Sequence, residues 1–322
     1  MQKLLFMVLA GLCGLMACGP SQPVSDAETD TTATQNPASD SSQLANDLAE
    51  SAYMYSFEEA FKVPEKVDQL RLQGQNLTEV PAQISQLKNL RRLYLGRNPK
   101  VNYDQAISYV ASLPRLEELE LSENDLKALP KDLTRLKQLQ VLWLDQNPTL
   151  NWKQALRPLK SLLRLKEISL NNNELNTLPE GLESLPALEI LHLARNAITG
   201  ANLNFGPFKK LHTLNLDGNK DLDLGPLFES LAQVPDLQVL LLGNCNLENI
   251  PKNIGKLKNL EILWLNNNQI QHLPEEMAQL KKLQTLHLFG NPLHPQIQEF
   301  LKKNLPNTEV IYENGGMMPM PN

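Results

Sequence analysis

A nine-residue motif that recurs ten times constrains the fold of this chain more than any other feature. Each copy has the form L-x-x-L-x-L-x-x-N, and consecutive copies begin 23 or 26 residues apart. A repeat of this size cannot bury its apolar side alone and gains a core only by stacking on its neighbours. We therefore expect an extended solenoid. The copies begin at Val67, Leu90, Leu116, Leu139, Leu165, Leu188, Leu211, Leu237, Leu260 and Leu283.

Positions 4 and 6 of each copy have the period of two that sends both side chains to one face of a short strand, while positions 3, 5 and 7 face the other way. Position 9 lies where the chain turns inward, and an amide there can satisfy backbone groups that the turn leaves unpaired. Gln75 takes this position in the first copy and Cys245 in the eighth, where we interpret it as a buried small group rather than a reactive thiol. The other copies carry Asn98, Asn124, Asn147, Asn173, Asn196, Asn219, Asn268 and Asn291.

The motif and its spacing resemble those of bacterial leucine-rich repeat proteins. The resemblance implies an α/β fold, a horseshoe-shaped solenoid with a parallel concave β-sheet and short helical caps at both ends. The 26-residue copies have room for two or three helical turns on the convex side. The 23-residue copies with a Pro after the polar position resemble the bacterial class whose convex side is extended or loosely helical.

Segments at both ends of the repeats predict caps for the exposed apolar ends of the solenoid. Ser56 to Glu59 has the pattern of a capping box that opens a short helix, with Phe57, Ala60 and Phe61 able to cover the first repeat. Near the other end, PQIQEFLKKN predicts a helix and TEVIY a last edge strand. We expect a helical N-cap at 45–66, ten repeats at 67–293, a C-cap at 294–313 and a disordered tail at 314–322.

The N-terminal residues have the layout of an export signal, with one cation at Lys3 followed by an apolar stretch and small residues. The sequence Leu-Met-Ala-Cys that ends at Cys18 resembles the lipobox of bacterial lipoproteins. The resemblance implies a signal peptide at 1–17, a lipid on Cys18 and a membrane-anchored envelope protein. Gly19 lacks the Asp that retains many lipoproteins in the inner membrane, so we expect the outer membrane. An ordinary cleaved signal followed by a chance Cys remains the alternative.

Residues 18–44 contain almost no large apolar side chains and are expected to form a disordered tether. The chain has 30 Lys and Arg against 36 Asp and Glu, a net charge of −6, which disfavours nucleic acid as a partner. We expect the protein to be a monomer.

Motifs for chemistry are missing from the sequence. None of the five His lies in a metal-binding pattern, and no Gly-rich phosphate loop or nucleophile elbow is present. The series that begins at Asp217 imitates a calcium loop, but Leu222 replaces its turn glycine and Phe228 its bidentate glutamate. We expect no metal, no cofactor and no enzymatic activity.

The outward positions of the strands are the candidate binding residues. Large aromatic side chains on an open face are typical of interface anchors. Acidic residues Glu118, Glu120, Glu123 and Glu167 in the first half favour a partner with a basic patch. The predicted protein-binding residues are Tyr94, Glu120, Trp143, His192, Trp264, His287 and Phe289.

Two other interpretations of these aromatic residues remain open. Each ring could pack only on its neighbours and stiffen the sheet. Alternatively, Tyr94, Trp143 and Trp264 could act as stacking platforms for the sugar rings of a glycan.

Overall fold

The structure, a computed structural model, describes residues 52–200 and 203–313. The predicted signal peptide, the tether, the first part of the N-cap and the C-terminal tail lie outside the described residues. Within the described ranges, twelve parallel strands form one sheet in chain order. They are β1 (Ala52–Met54), β2 (Val67–Arg71), β3 (Arg92–Tyr94), β4 (Glu118–Glu120), β5 (Val141–Trp143), β6 (Glu167–Ser169), β7 (Ile190–His192), β8 (Thr213–Asn215), β9 (Val239–Leu241), β10 (Ile262–Trp264), β11 (Thr285–His287) and β12 (Glu309–Ile311).

Strands β2 to β11 lie on the ten copies of the motif, as the sequence predicts. Neighbouring strands pair in register, so that Leu240, Leu263 and Leu286 follow one another across β9, β10 and β11. The aliphatic residues at positions 4 and 6 are all at most 1% exposed. Their burial between the sheet and the convex segments forms the core and confirms the solenoid.

The position 9 amides form the predicted ladder, and Asn268 shows its geometry. The Asn268 Oδ1 accepts the N–H groups of Cys245 and Leu247 at 2.9 and 3.1 Å. Its Nδ2 donates to the carbonyls of Leu242 and Leu265 at 2.8 and 2.9 Å. One side chain thus joins the turns of two successive repeats and satisfies backbone groups that have no strand partner.

Cys245 occupies the same position with a thiol, as predicted. Its Sγ lies 3.3 Å from the carbonyl oxygen of Leu216 and 3.2 Å from that of Gly243, and the residue is fully buried. Burial raises the pKa of the Cys245 thiol to about 12. The group is therefore a structural member of the ladder.

Five α-helices lie among the described residues: α1 (Phe57–Lys62), α2 (Tyr103–Val110), α3 (Trp152–Ala155), α4 (Leu224–Leu231) and α5 (Gln296–Asn304). Helices α2, α3 and α4 belong to the 26-residue repeats. Helix α3 has a single turn and gives way to a 3₁₀ turn at Arg157–Ser161, which is less helix than predicted. Pro158 explains the difference because a proline disfavours α conformation in the residue before it and lacks an N–H. None of the described helices is long and apolar enough to cross a membrane.

Secondary structure covers both ends of the repeats. Ser56 caps α1 by accepting the N–H of Glu59 at 3.1 Å, and the rings of Phe57 and Phe61 stack 5.7 Å apart against the core. Strand β1, which the sequence analysis did not predict, precedes this helix and extends the sheet. At the other end, β12 pairs with β11 after α5.

Candidate binding surface on the concave face

The register of the sheet places position 5 of all ten repeats side by side. The predicted residues Tyr94, Glu120, Trp143, His192, Trp264, His287 and Phe289 are all partly exposed. The expectation that every position 5 residue faces solvent is wrong for Ser169, Asn215 and Leu241, which are only 2%, 1% and 1% exposed. These smaller residues lie in the stretch between Trp143 and Trp264, so the surface divides into an N-terminal, a central and a C-terminal part.

Tyr94 and Trp143 dominate the N-terminal part. Their rings stack with centroids 5.8 Å apart and planes inclined by 19°. The two residues belong to β3 and β5, and Glu120 of β4 lies between them in the register. Because strands two apart are separated by about 9.6 Å, the rings must lean toward each other above β4. Each ring therefore has one face occupied by the other.

Glu120 has a structural role that the sequence analysis did not foresee. Its carboxylate accepts the backbone N–H groups of Gly96 at 2.7 Å and Ser122 at 2.9 Å. Burial raises its pKa to about 7, although these hydrogen bonds act in the opposite direction. The interpretation of Glu120 as a solvent-facing charge that attracts a partner is therefore corrected, because its carboxylate is engaged with the sheet.

Two of the other acidic residues of the first half, Glu118 and Glu123, are paired with arginines. Glu118 accepts from Arg92 at 3.0 Å and from the hydroxyl of Tyr94 at 3.1 Å, and Glu123 accepts from Arg97 at 2.8 Å. The acidic surface expected there is corrected to a set of ion pairs. The negative charge of the concave face lies nearer its centre.

A second polar ladder runs along position 7, where the strands end. Asp145 accepts the N–H of Asn171 at 2.7 Å, Asn171 accepts that of Ala194 at 2.6 Å, and Asp217 accepts that of Gly243 at 2.6 Å. Each side chain thus links its repeat to the next. This ladder was not predicted from the sequence, although position 7 is filled by small or polar residues from Gly96 to Asn266.

His192 lies at the centre among three carboxylates. Its Nε2 is 3.5 Å from the Oε1 of Glu167. Burial raises the pKa of Asp145 and raises that of Asp217 to about 6, while the nearby His192 acts to lower both pKa values. These contacts place the acidic centre on β5 to β8.

The C-terminal part is an aromatic cluster that we call the C-terminal cluster, formed by Trp264, Asn266, His287 and Phe289. The rings of Trp264 and His287 lie 4.6 Å apart, and those of His287 and Phe289 lie 6.1 Å apart in an edge arrangement. Burial lowers the pKa of His287, so its imidazole is neutral at neutral pH. The structure thus brings three predicted binding residues into contact.

The polar side chains at the centre of the concave face bond to one another and to the sheet. Among the described residues, no group of three or more His, Cys, Asp or Glu side chains is arranged to hold a metal ion. Ser169, which pairs in register with His192, donates its hydroxyl to Asp145 at 2.6 Å. The polar groups of the centre therefore form hydrogen bonds within the sheet.

Comparisons with known proteins agree with this architecture. A leucine rich repeat family pattern matches residues 235–293. An internalin from Listeria monocytogenes is 22% identical with a TM-score of 0.50, the match covering 79% of this chain and 82% of that one. A chain in the crystal structure of the TLR13–ssRNA13 complex is 25% identical to this chain, with a TM-score of 0.58. The match covers 77% of this chain and 39% of the other.

A leucine-rich repeat protein from Leptospira interrogans also matches, with 25% identity, a TM-score of 0.36 and coverage of 81% of this chain and 100% of that one. The comparison with curated proteins gives no match. The repeats, the strand register and the two solved structures with TM-scores of 0.50 and 0.58 show that the chain has the fold of leucine-rich repeat proteins. Proteins of this class are typically non-enzymatic interaction scaffolds.

Proposed function

We propose that this protein is a lipid-anchored, non-enzymatic scaffold of the bacterial envelope that binds a protein partner on its concave face. The observation that carries the proposal is the line of large, partly exposed side chains along one face of the sheet, from Tyr94 and Trp143 through His192 to Trp264 and His287. Aromatic side chains of this kind anchor protein interfaces. Ten strands spaced by about 4.8 Å give a surface roughly 45 Å long, enough for a helix or a small domain.

Charge suggests where a basic group of the partner would lie. The carboxylates of Glu167, Asp145 and Asp217 surround His192 at the centre of the face. Asp145 and Asp217, like the carboxylates of β4, are already bonded within the protein. The partly exposed carboxylate of Glu167 therefore offers the charge that an arginine or lysine of the partner would meet. The proposed basic contact is thus at the centre.

Anchoring follows from the lipobox-like sequence. A diacylglycerol on Cys18 and a flexible tether over residues 18–44 would hold the repeats away from the membrane while leaving the concave face open to a partner. Two acyl chains are enough for stable anchoring. The protein would then act as a monomer in the outer membrane.

Crosslinking in intact cells followed by mass spectrometry tests the proposal. We expect Trp143→Ala and His192→Ala to weaken capture of the crosslinked partner, with an anchor substitution costing about 2 kcal/mol in binding. Leu163→Ala is the matched control because Leu163 is 67% exposed and lies outside the strands. A partner that is captured equally by both concave variants but lost from the Leu163 variant would place the interface elsewhere.

A further inference from the structure

The C-terminal cluster holds several polar atoms that make no hydrogen bond. The Nε1 of Trp264, the Oδ1 of Asn266 and the Nδ1 of His287 are buried and have no hydrogen-bond partner. Asn266 is only 6% exposed. Buried polar groups in proteins are nearly always paired, and leaving one unpaired costs about 1–3 kcal/mol. Three such atoms on adjacent strands therefore need an explanation beyond packing.

The position 7 ladder shows why Asn266 is unusual. Asp145, Asn171 and Asp217 each use this position to accept an N–H from the following repeat. At Asn266 the same position leaves Oδ1 without a donor. Its amide lies over Gly243, where a Cβ atom would come within 3.0 Å of it. A residue without a side chain at Gly243 thus makes space for the Asn266 amide, although the amide oxygen gains no bond there.

We infer that the C-terminal cluster is a binding site for a neutral saccharide, with Trp264 and Phe289 providing ring faces and Trp264, Asn266 and His287 providing polar contacts. The inference rests on the proposed use of the concave face for binding and adds a second class of ligand. The indole N–H of Trp264 is a hydrogen-bond donor, and the amide oxygen of Asn266 is an acceptor. The Nδ1 of the neutral His287 imidazole is a donor or an acceptor, depending on the tautomer. A hydroxyl group both donates and accepts, so a ring that carries several hydroxyls can satisfy all three atoms.

Two features favour a saccharide over a peptide. None of the four side chains of the cluster is charged, and the nearby charge that acts on His287 is the carboxylate of Glu309 on β12, which disfavours an anionic ligand. Each of β9, β10 and β11 is paired on both sides, so a peptide could not add a strand there and use its main chain. The apolar C–H face of a sugar ring fits an aromatic side chain, and its hydroxyls reach the polar atoms beside that chain. The three polar atoms are covered in the free protein, so binding requires rotation of their side chains.

Tyr94 and Trp143 do not offer an equivalent site. Beside their stacked rings, neither the Tyr94 hydroxyl nor the Trp143 indole nitrogen is a buried atom without a partner. The Tyr94 hydroxyl already donates to Glu118. A glycan on this face is therefore assigned to one end of the sheet.

The experiment uses the full-length protein in a detergent without a sugar head group. Neutral oligosaccharides such as maltoheptaose, cellohexaose and chitohexaose are titrated while the indole N–H signals of Trp143, Trp152 and Trp264 are recorded by NMR. We expect a neutral oligosaccharide to shift the Trp264 signal and leave that of Trp143 unchanged.

Asn266→Ala should weaken binding by about fivefold to tenfold without lowering the denaturation midpoint, because the lost acceptor is unpaired in the free protein. Trp264→Phe should bind more weakly than wild type, and Trp264→Ala should not bind.

Trp143→Ala is the matched aromatic control and should retain saccharide binding. The inference is overturned if no neutral oligosaccharide shifts the Trp264 signal, if Trp143→Ala is as defective as Trp264→Ala, or if an anionic alginate hexamer binds more tightly than every neutral one. The protein-binding proposal is judged separately by crosslinking of the Trp143 and His192 variants. Crosslinking that persists without saccharide binding therefore defeats only the present inference.

Discussion

Tyr94 and Trp143 stack across an intervening strand, with ring centroids 5.8 Å apart and Glu120 of that strand between them in the register. The contact joins two repeats across a third through side chains on the concave face of the sheet. These aromatic residues can therefore stabilise the solenoid and also contact a partner, and the two contributions need separate measurements.

Trp143→Ala is expected to lower the free energy of unfolding by about 0.5–1.5 kcal/mol, since an aromatic pair contributes this much beyond its buried area. Trp143→Phe keeps a ring against Tyr94 and should retain most of the stability. Urea denaturation of the two variants measures the difference. If Trp143→Ala unfolds at the wild-type midpoint, the stack does not support the fold.

Glu120 should make stability depend on pH. Its pKa is about 7 in the folded protein against an ordinary value of 4.5, so the folded state holds the proton more tightly. The resulting stability is fully present below about pH 4.5 and is lost as pH rises toward 7. Glu120→Gln removes this titration while keeping a side-chain acceptor. Relative to wild type, we expect this variant to gain stability as pH rises from 4 to 7 in urea midpoints. A constant difference across this range would contradict the assignment.

Asn196 is the ladder residue with which the structural role of position 9 is best tested. Its Oδ1 accepts from Asn173 at 2.8 Å and Leu175 at 3.1 Å, and its Nδ2 donates to the carbonyls of Leu170 and Leu193, both at 2.9 Å. Asn196→Ala leaves these groups unpaired and should cost about 1–3 kcal/mol per buried group that finds no water. Asn173→Ala removes fewer bonds and should cost less. Equal denaturant midpoints for Asn196→Ala and wild type would rule out the ladder as a source of stability.

Cys245 should resist alkylation in the native protein because its thiol is fully buried and its pKa is about 12. Iodoacetamide at pH 8 should label it only after denaturation, and the labelled mass identifies the site. Cys245→Ser retains a hydrogen-bond donor and should destabilise less than Asn196→Ala. Rapid labelling under native conditions would show that this repeat opens locally.

Cys18→Ser should abolish labelling by radioactive palmitate and release the protein from the membrane fraction. The change leaves residues 67–293 untouched, so circular dichroism of the variant should match that of wild type. Labelling that survives the substitution would mean that Cys18 is not the lipid attachment site.

The sequence alone determined the repeat number, the strand positions and the core, because a strict period places the same aliphatic positions inward in every copy. Asn268 and Cys245 were assigned correctly for the same reason, since their role depends only on their place in the repeat. The length of the convex helix α3 was overpredicted, because the 26-residue spacing of the repeats does not take the position of Pro158 into account.

The character of the concave face was decided only by the tertiary structure. The Tyr94 ring packs on Trp143, and the Glu120 carboxylate bonds to Gly96 rather than facing a partner. The Asn266 amide oxygen has no donor. All three outcomes depend on residues of neighbouring strands. Those neighbours lie 23 or 26 residues away in the chain, and their contacts depend on side-chain lengths and directions that the repeat pattern leaves free. The burial of the inward side chains follows from the repeat period, which is the same in every copy. The contacts of each outward side chain depend instead on the particular residues beside it.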